Sequence, residues 1–231
     1  MLIRFPSFFA LLSLLLFAGC QTTSPVPIVS DTDFFPLKSQ QYIIYDVQEQ
    51  RYALNAPALQ LTYQLKEVVG DVYRDVTGQT AYRLLRYRRL AEGQSWQADS
   101  VWSARLVNNE AIRTENGLDF IKLVFPFSDQ LRWNGNRRNI YGEDAYELRN
   151  NPQPYRVLDK QFDETVTVVA QNDSTLVSQD KRVEVYARQV GLIYKERTQL
   201  QYCSSSPACR GKNQIDYGIR QVYRIRTYGT E

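Results

Sequence analysis

Along most of the chain, apolar and polar residues alternate nearly one for one, and stretches with helical spacing are missing beyond the first twenty residues. A period of two marks half-buried strands. Segments of this kind are 41–48, 59–69, 79–90, 100–107, 111–114, 118–125, 143–149, 162–171, 181–189, 192–201 and 219–228. Asn108-Asn109, Asn116-Gly117 and Asn172-Asp173 separate several of them with residues that tolerate positive φ. The rhythm breaks twice. Residues 126–155, with Trp133-Asn134-Gly135-Asn136, Pro152 and Pro154, predict a long structured loop, and residues 203–216 predict an excursion before the last strand. Eleven short strands with one apolar face each must close on themselves or pack together to hide their edges. The expected fold is therefore all-β and mainly antiparallel: a curved sheet, half-barrel or barrel in a single domain over 34–231, with little helix.

The exception to the alternation is the N-terminus. One charge, Arg4, precedes a run from Phe8 to Phe17 that is apolar but for Ser13, followed by Ala18-Gly19-Cys20. A charged start, a short apolar run and a small-residue cleavage site form a signal peptide over 1–19, and the run is about half the roughly twenty residues a membrane-spanning helix needs. Phe17-Ala18-Gly19-Cys20 resembles the bacterial lipobox, with Phe17 in place of the usual Leu. That resemblance implies cleavage before Cys20 and lipidation of its sulfur and freed amine. Several acyl chains would anchor the mature chain stably, with 20–33, rich in Thr, Ser and Pro, as a tether. Gln21 is not the Asp that retains such proteins at the inner membrane, which by the same resemblance implies the outer membrane, and the lack of an acidic run after Cys20 its periplasmic leaflet.

Composition narrows the function classes. The formal charge is +3 over the whole chain, too small a field to recruit nucleic acid. After Cys20 the remaining cysteines are Cys203 and Cys209, and a structural disulfide between them suits an oxidising compartment. The chain contains no histidine, which removes the commonest general base and zinc ligand, and no phosphate-binding or dinucleotide motif is present. No cofactor, metal site or catalytic residue is expected. The acidic doublets Glu143-Asp144 and Asp163-Glu164 keep a two-carboxylate glycan hydrolase as a remote option. Neighbours on a strand point to opposite faces, so each doublet offers at most one carboxylate to a cleft.

Two polar clusters remain. On the last strand Arg220, Arg224 and Arg226 share one face and Ile219, Tyr223 and Ile225 the other. This is the pattern of a solvated face over core, or of a stripe that meets anionic headgroups or a glycan. Arg83, Arg86, Arg88 and Arg89 also crowd a strand, which argues against a membrane-spanning barrel. In the long loop, Trp133, Asn134, Asn136, Arg137 and Arg138 form the candidate ligand or partner site: either an exposed aromatic beside amides and cations, or a buried Trp133 capping a barrel mouth. Tyr42, Tyr45, Tyr63, Tyr82 and Tyr87 are candidates for a cavity lining or for core.

Phe35-Pro36-Leu37-Lys38 with Tyr42-Ile43-Ile44-Tyr45, Trp133-Asn134-Gly135-Asn136, Val185-Tyr186-Ala187 and Val190-Gly191-Leu192-Ile193-Tyr194-Lys195 together resemble a group of secreted Bacteroidota lipoproteins. Their Pro-Leu-x-x-Gly-x-x-Trp-x-Tyr opening lacks here the glycine and the tryptophan, and Gln189 replaces the first glycine of their Gly-Val-Gly-Leu-Val closing. The resemblance implies an envelope lipoprotein of β-rich fold and supplies no catalytic residues. The leading expectation is a non-enzymatic interaction or scaffolding module with an envelope protein, lipid or glycan partner. The rival is a carrier or sensor of an apolar ligand, similar in outline to outer-membrane lipoprotein-localisation factors.

Overall fold

The computed structural model describes residues 1, 2 and 30–231, so the signal peptide, Cys20 and the expected tether up to residue 29 lie outside the described residues. A 3-10 turn, η1 (Asp31–Phe34), precedes twelve strands: β1 (Gln41–Tyr52), β2 (Leu59–Arg74), β3 (Thr80–Arg89), β4 (Gln97–Val107), β5 (Glu110–Glu115), β6 (Leu118–Val124), β7 (Arg132–Asn134), β8 (Ala145–Val157), β9 (Lys160–Ser174), β10 (Ser178–Ala187), β11 (Gly191–Tyr202) and β12 (Ile215–Thr230). All belong to one sheet in the order β6-β5-β4-β3-β2-β1-β12-β11-β10-β9-β8-β7, and every pairing is antiparallel. The chain is thus an up-and-down meander whose first and last strands pair from Gln41↔Thr230 to Tyr52↔Gly218.

The two sheet edges that remain, β6 and β7, are consecutive in sequence. Ile121 N donates to Gly135 O at 2.9 Å, and Trp133 Nε1 donates to Ile121 O at 2.9 Å. These bonds draw the edges together into a nearly closed twelve-stranded barrel, and closure removes the exposed edge on which foreign strands could add.

The all-β expectation holds, with three corrections. Residues 126–155 are not one loop, because β7 and most of β8 lie within them. Pro152 and Pro154 sit inside β8 where its pairing with β9 is irregular, between Arg149 and Tyr155. A proline has no N–H for the ladder but is tolerated at a bulge, so here it did not end the strand. Second, the short β7 raises the strand count above the eleven expected. Third, the folded domain starts before residue 34. Ser30 caps η1 and accepts from Thr32 N, Asp31 Oδ2 accepts from Phe127 N at 2.8 Å, and Arg188 Nη1 donates to Ser30 O at 2.8 Å. Phe34 is fully buried there, with its ring 5.4 Å from that of Phe127 and under the Arg188 guanidinium.

Two apolar clusters hold the fold. One gathers Phe34, Leu84, Ile112, Ile121, Leu123, Leu148 and Val166 around η1 and the seam. The other joins Tyr45, Val47, Leu65, Val185, Ile193 and Ile225 with Val157 and Phe162 from the β8–β9 hairpin. Each fully buried large side chain contributes about 1.5–3 kcal/mol. Disulfide Cys203–Cys209 pins the β11–β12 excursion as expected.

Candidate functional site

The barrel interior is charged. Alternation along each strand places Glu67 (β2), Arg86 (β3), Arg113 and Glu115 (β5), Lys122 (β6), Glu184 (β10) and Lys195 (β11) around one internal space with Tyr45, Tyr186 and Trp102. Arg113 reaches across the interior to Glu67. Lys122 Nζ lies 3.2 Å from Glu115 and 3.4 Å from Glu184, and Lys195 Nζ 3.3 Å from the same Glu184 oxygen. Tyr186 donates to Glu184 at 2.5 Å. Trp102 stacks with Arg86 at 3.6 Å and lies 4.9 Å from Arg113.

These ions set one another's protonation. Burial alone would raise the Glu115 carboxyl, but Lys122, Lys195 and Arg113 outweigh it and hold it at about 2. Burial likewise opposes the charge on Glu184, and Lys122 and Lys195 override it to hold the carboxyl well below the ordinary range. Burial would lower the Lys122 ammonium, yet Glu115 and Glu184 raise it. All three are therefore charged at neutral pH. The side chains also fill the barrel. Eight strands already enclose room for side chains, and more strands widen the interior. Here the space inside the network is about 20 Å³, and a second, beside Tyr146, Val168 and Lys195, is about 80 Å³.

The loop residues singled out in the sequence are brought together, at the β6–β7 seam. Trp133 is buried, with its ring edge-on to Tyr146, so the exposed-aromatic alternative is corrected in favour of a structural cap. The cause is closure, because Trp133 Nε1 satisfies the Ile121 carbonyl at the open edge. Asn134 Oδ1 accepts from Asn136 N and Asp144 N, and Asn136 Nδ2 donates to Gly142 O. Arg137 and Arg138 both bind Glu110, which is buried. These contacts tie the cluster to its own loop and to β5 and β6. Asp144 forms a two-pronged pair with Arg182 at 2.6 and 2.9 Å, Glu164 pairs with Arg188, and Glu143, Asp163 and Glu164 are exposed. No cleft places two of these four carboxylates across from each other among the residues lining the described cavities.

The open space is on the other face of the sheet. Register places Gln60, Gln50, Arg220, Thr198 and Lys181 in one row across β2, β1, β12, β11 and β10. Thr62, Gln48, Val222 and Glu196 form the adjacent row. These rows line a groove of about 530 Å³. A second space of about 410 Å³ continues from it, sharing Gln48 and Thr62 and adding Asp46, Gln64, Arg224 and Arg226 between the β3–β4 turn at Leu90 and the β8–β9 turn at Leu158. The arginine stripe foreseen on the last strand is part of this floor.

Most charges on the floor are neutralised locally. Lys181 Nζ lies 2.8 Å from Glu196, and Arg226 contacts Asp46 and Glu92 at 3.3 and 2.6 Å. Arg224 donates to the neutral Gln48 amide at 2.9 Å, while Arg220 lies over Tyr52 at 5.8 Å. Neither has a carboxylate partner among the described residues. Of the tyrosines considered as cavity lining, Tyr45 and Tyr63 are buried, and Tyr42, Tyr82 and Tyr87 are half-buried.

The chain is similar to one solved structure. That structure is of a protein from Parabacteroides distasonis, provisionally classed as a lipoprotein, with a TM-score of 0.40 and 9% identity over 85% of this chain and 98% of that one. The barrel description rests on this chain's own strand pairing. No family model matches the chain, and no curated relative does. The groove and the interior network are thus argued from their own geometry. The interior network was missed in the sequence because its members alternate with apolar residues on six different strands, and only register brings them together.

Proposed function

We propose that this chain is a lipid-anchored cell-envelope protein whose barrel works as a non-enzymatic interaction module, presenting the outer groove to its partner. The observation that carries the reading is the contrast between the two faces: about 20 and 80 Å³ inside, filled with ion pairs, against grooves of about 530 and 410 Å³ outside. Pockets for small apolar ligands run from about 300 Å³ upward and are lined mainly by apolar groups. The interior supports a rigid scaffold better than a carrier. The anchor rests on Phe17-Ala18-Gly19-Cys20, and the outer membrane's periplasmic leaflet on Gln21 and the neutral residues after it.

Labelling cells with an alkyne fatty acid tests the anchor: wild type takes up label and fractionates with the outer membrane, and Cys20→Ser does neither. Label on the Cys20→Ser chain would sink the anchor. Native mass spectrometry of Cys20→Ser purified without detergent tests the module, with a clean apo mass expected. A reproducible lipid-sized adduct would return the carrier reading.

A further inference from the structure

We propose that the outer groove binds an extended acidic oligosaccharide, with Arg220 and Arg224 holding its carboxylates and the glutamine and threonine rows its hydroxyls. This rests on the interaction-module reading and names the partner's chemistry.

The floor is made of the middle of the sheet. β2, β1, β12, β11 and β10 are each paired on both edges, so a peptide has no free backbone on which to add as a strand. Recognition therefore falls to side chains. Gln48, Gln50 and Gln60 offer planar amides that both donate and accept and Thr62 offers a hydroxyl, while Gln64 and Thr198 are buried and the Gln64 amide is held by Asp46 and Arg89. Vicinal hydroxyls of a sugar offer the complementary set. Apolar lining in the first groove is limited to Leu61 and Val222, so an acyl chain there would leave its amides unpaired; the second groove is the more apolar of the two, with Tyr63, Leu90, Ala91 and Leu158.

The charge decides the class of sugar. Arg220 and Arg224 face the groove without a carboxylate of their own, whereas Lys181 and Arg226 have theirs. A guanidinium takes a carboxylate by two parallel hydrogen bonds. The dimensions suit an extended chain: five strands at about 4.8 Å spacing give a floor about 19 Å across. Position favours a glycan over a lipid headgroup. Gln50 stands nine residues along β1 from Gln41, about 30 Å from the end where η1 and any N-terminal anchor enter.

The test uses the mature chain with Cys20→Ser, titrated by calorimetry with an oligogalacturonate and with a maltooligosaccharide of the same length. Binding of the acidic oligomer, at least about tenfold tighter than the neutral one and weakened about tenfold each by Arg220→Gln and Arg224→Gln, is the expected result. Arg210→Gln, directly after the disulfide-closed loop, should change nothing. Unaltered unfolding midpoints show that the variants fold. Equal binding of both sugars, or binding indifferent to the two arginine variants, overturns the proposal. So does sedimentation of wild type, but not of Arg220→Gln, with phosphatidylglycerol vesicles in the absence of sugar affinity. In-cell crosslinking from position 60 separates the two readings: a captured protein partner without sugar binding leaves the module and removes the glycan, and capture of neither removes both.

Discussion

Glu184 is the acceptor on which the interior network converges, so neutralising it tests whether that network holds the barrel together. Glu184→Gln keeps the shape and a partner for Tyr186 but removes the charge facing Lys122 and Lys195. Lys122 keeps Glu115, while Lys195 keeps no carboxylate within 4 Å among the described residues. Stripping one partner from a buried ion pair costs about 3–5 kcal/mol, because the other charge stays desolvated. For a domain of this size each 1 kcal/mol moves the midpoint by about 2–4 °C. The expected fall in Tm is therefore roughly 6–20 °C, measured by calorimetry at pH 7.

A double-mutant cycle separates charge from packing. Lys122→Met alone should cost a similar amount, since Glu184 and Glu115 then lose their shared ammonium. Combined with Glu184→Gln it should cost at least about 1 kcal/mol less than the sum. A loss under about 1 kcal/mol for Glu184→Gln, or strict additivity in the cycle, would refute the reasoning. It would mean that the apolar clusters alone set the stability.

Acid should unfold the barrel through the same ions. Glu115 titrates at about 2 in the folded state against 4.5 ordinarily, and Glu184 is lowered too. A depressed carboxyl stabilises above its ordinary value and loses that contribution as pH falls through the folded one. Urea midpoints should hold from pH 7 to about 5 and then drop toward pH 2, with Glu115 alone on the order of 3 kcal/mol; a flat profile would contradict this. Gly218 has φ +132° and a Cβ there would stand 2.1 Å from the Gln199 carbonyl oxygen, so Gly218→Ala should cost at least about 3 kcal/mol in urea unfolding. Trp133→Phe removes the donor to Ile121 O and should cost about 1–3 kcal/mol, with faster amide exchange at Ile121 if Gly135 is released. Cys203–Cys209 closes only a short loop, so its reduction should cost about 2 kcal/mol and leave exchange at the β6–β7 seam unchanged.

The meander was legible wherever alternation ran uninterrupted. β5 and β6, joined by Asn116-Gly117, came within a residue of their observed ends, and Gly117 does take positive φ. Legibility failed where a local signal met a tertiary one. Pro152 and Pro154 say loop, yet the bulge in β8 gives each a place without a ladder bond. Trp133 among Asn, Gly and Arg left an exposed tip and a buried cap both open, and the seam, which needed a donor for Ile121 O, decided for the cap. Ser30 to Asp33 looks like more tether, but its contacts are with Phe127 and Arg188, about 95 and 155 residues away in the chain.

The two candidate sites differ in what alternation can reveal. On β12 the stripe Arg220, Arg224 and Arg226 was visible because one strand carries it, and the structure only added the neighbouring rows that make it a groove floor. The interior ions are dispersed over β2, β3, β5, β6, β10 and β11, and only β5 supplies two. Each looks alone like a solvated position, since a charge on a strand has the same local pattern whether its face is wet or enclosed. What decides is curvature. A sheet that closes turns one face of every strand inward, so a charge on that face must meet its counter-ion from across the barrel, as Arg113 meets Glu67 and Lys122 meets Glu184. With the inside occupied in this way, the outward face of the central strands offers grooves of about 530 and 410 Å³, and there Arg220 and Arg224 have no carboxylate within 4 Å among the described residues.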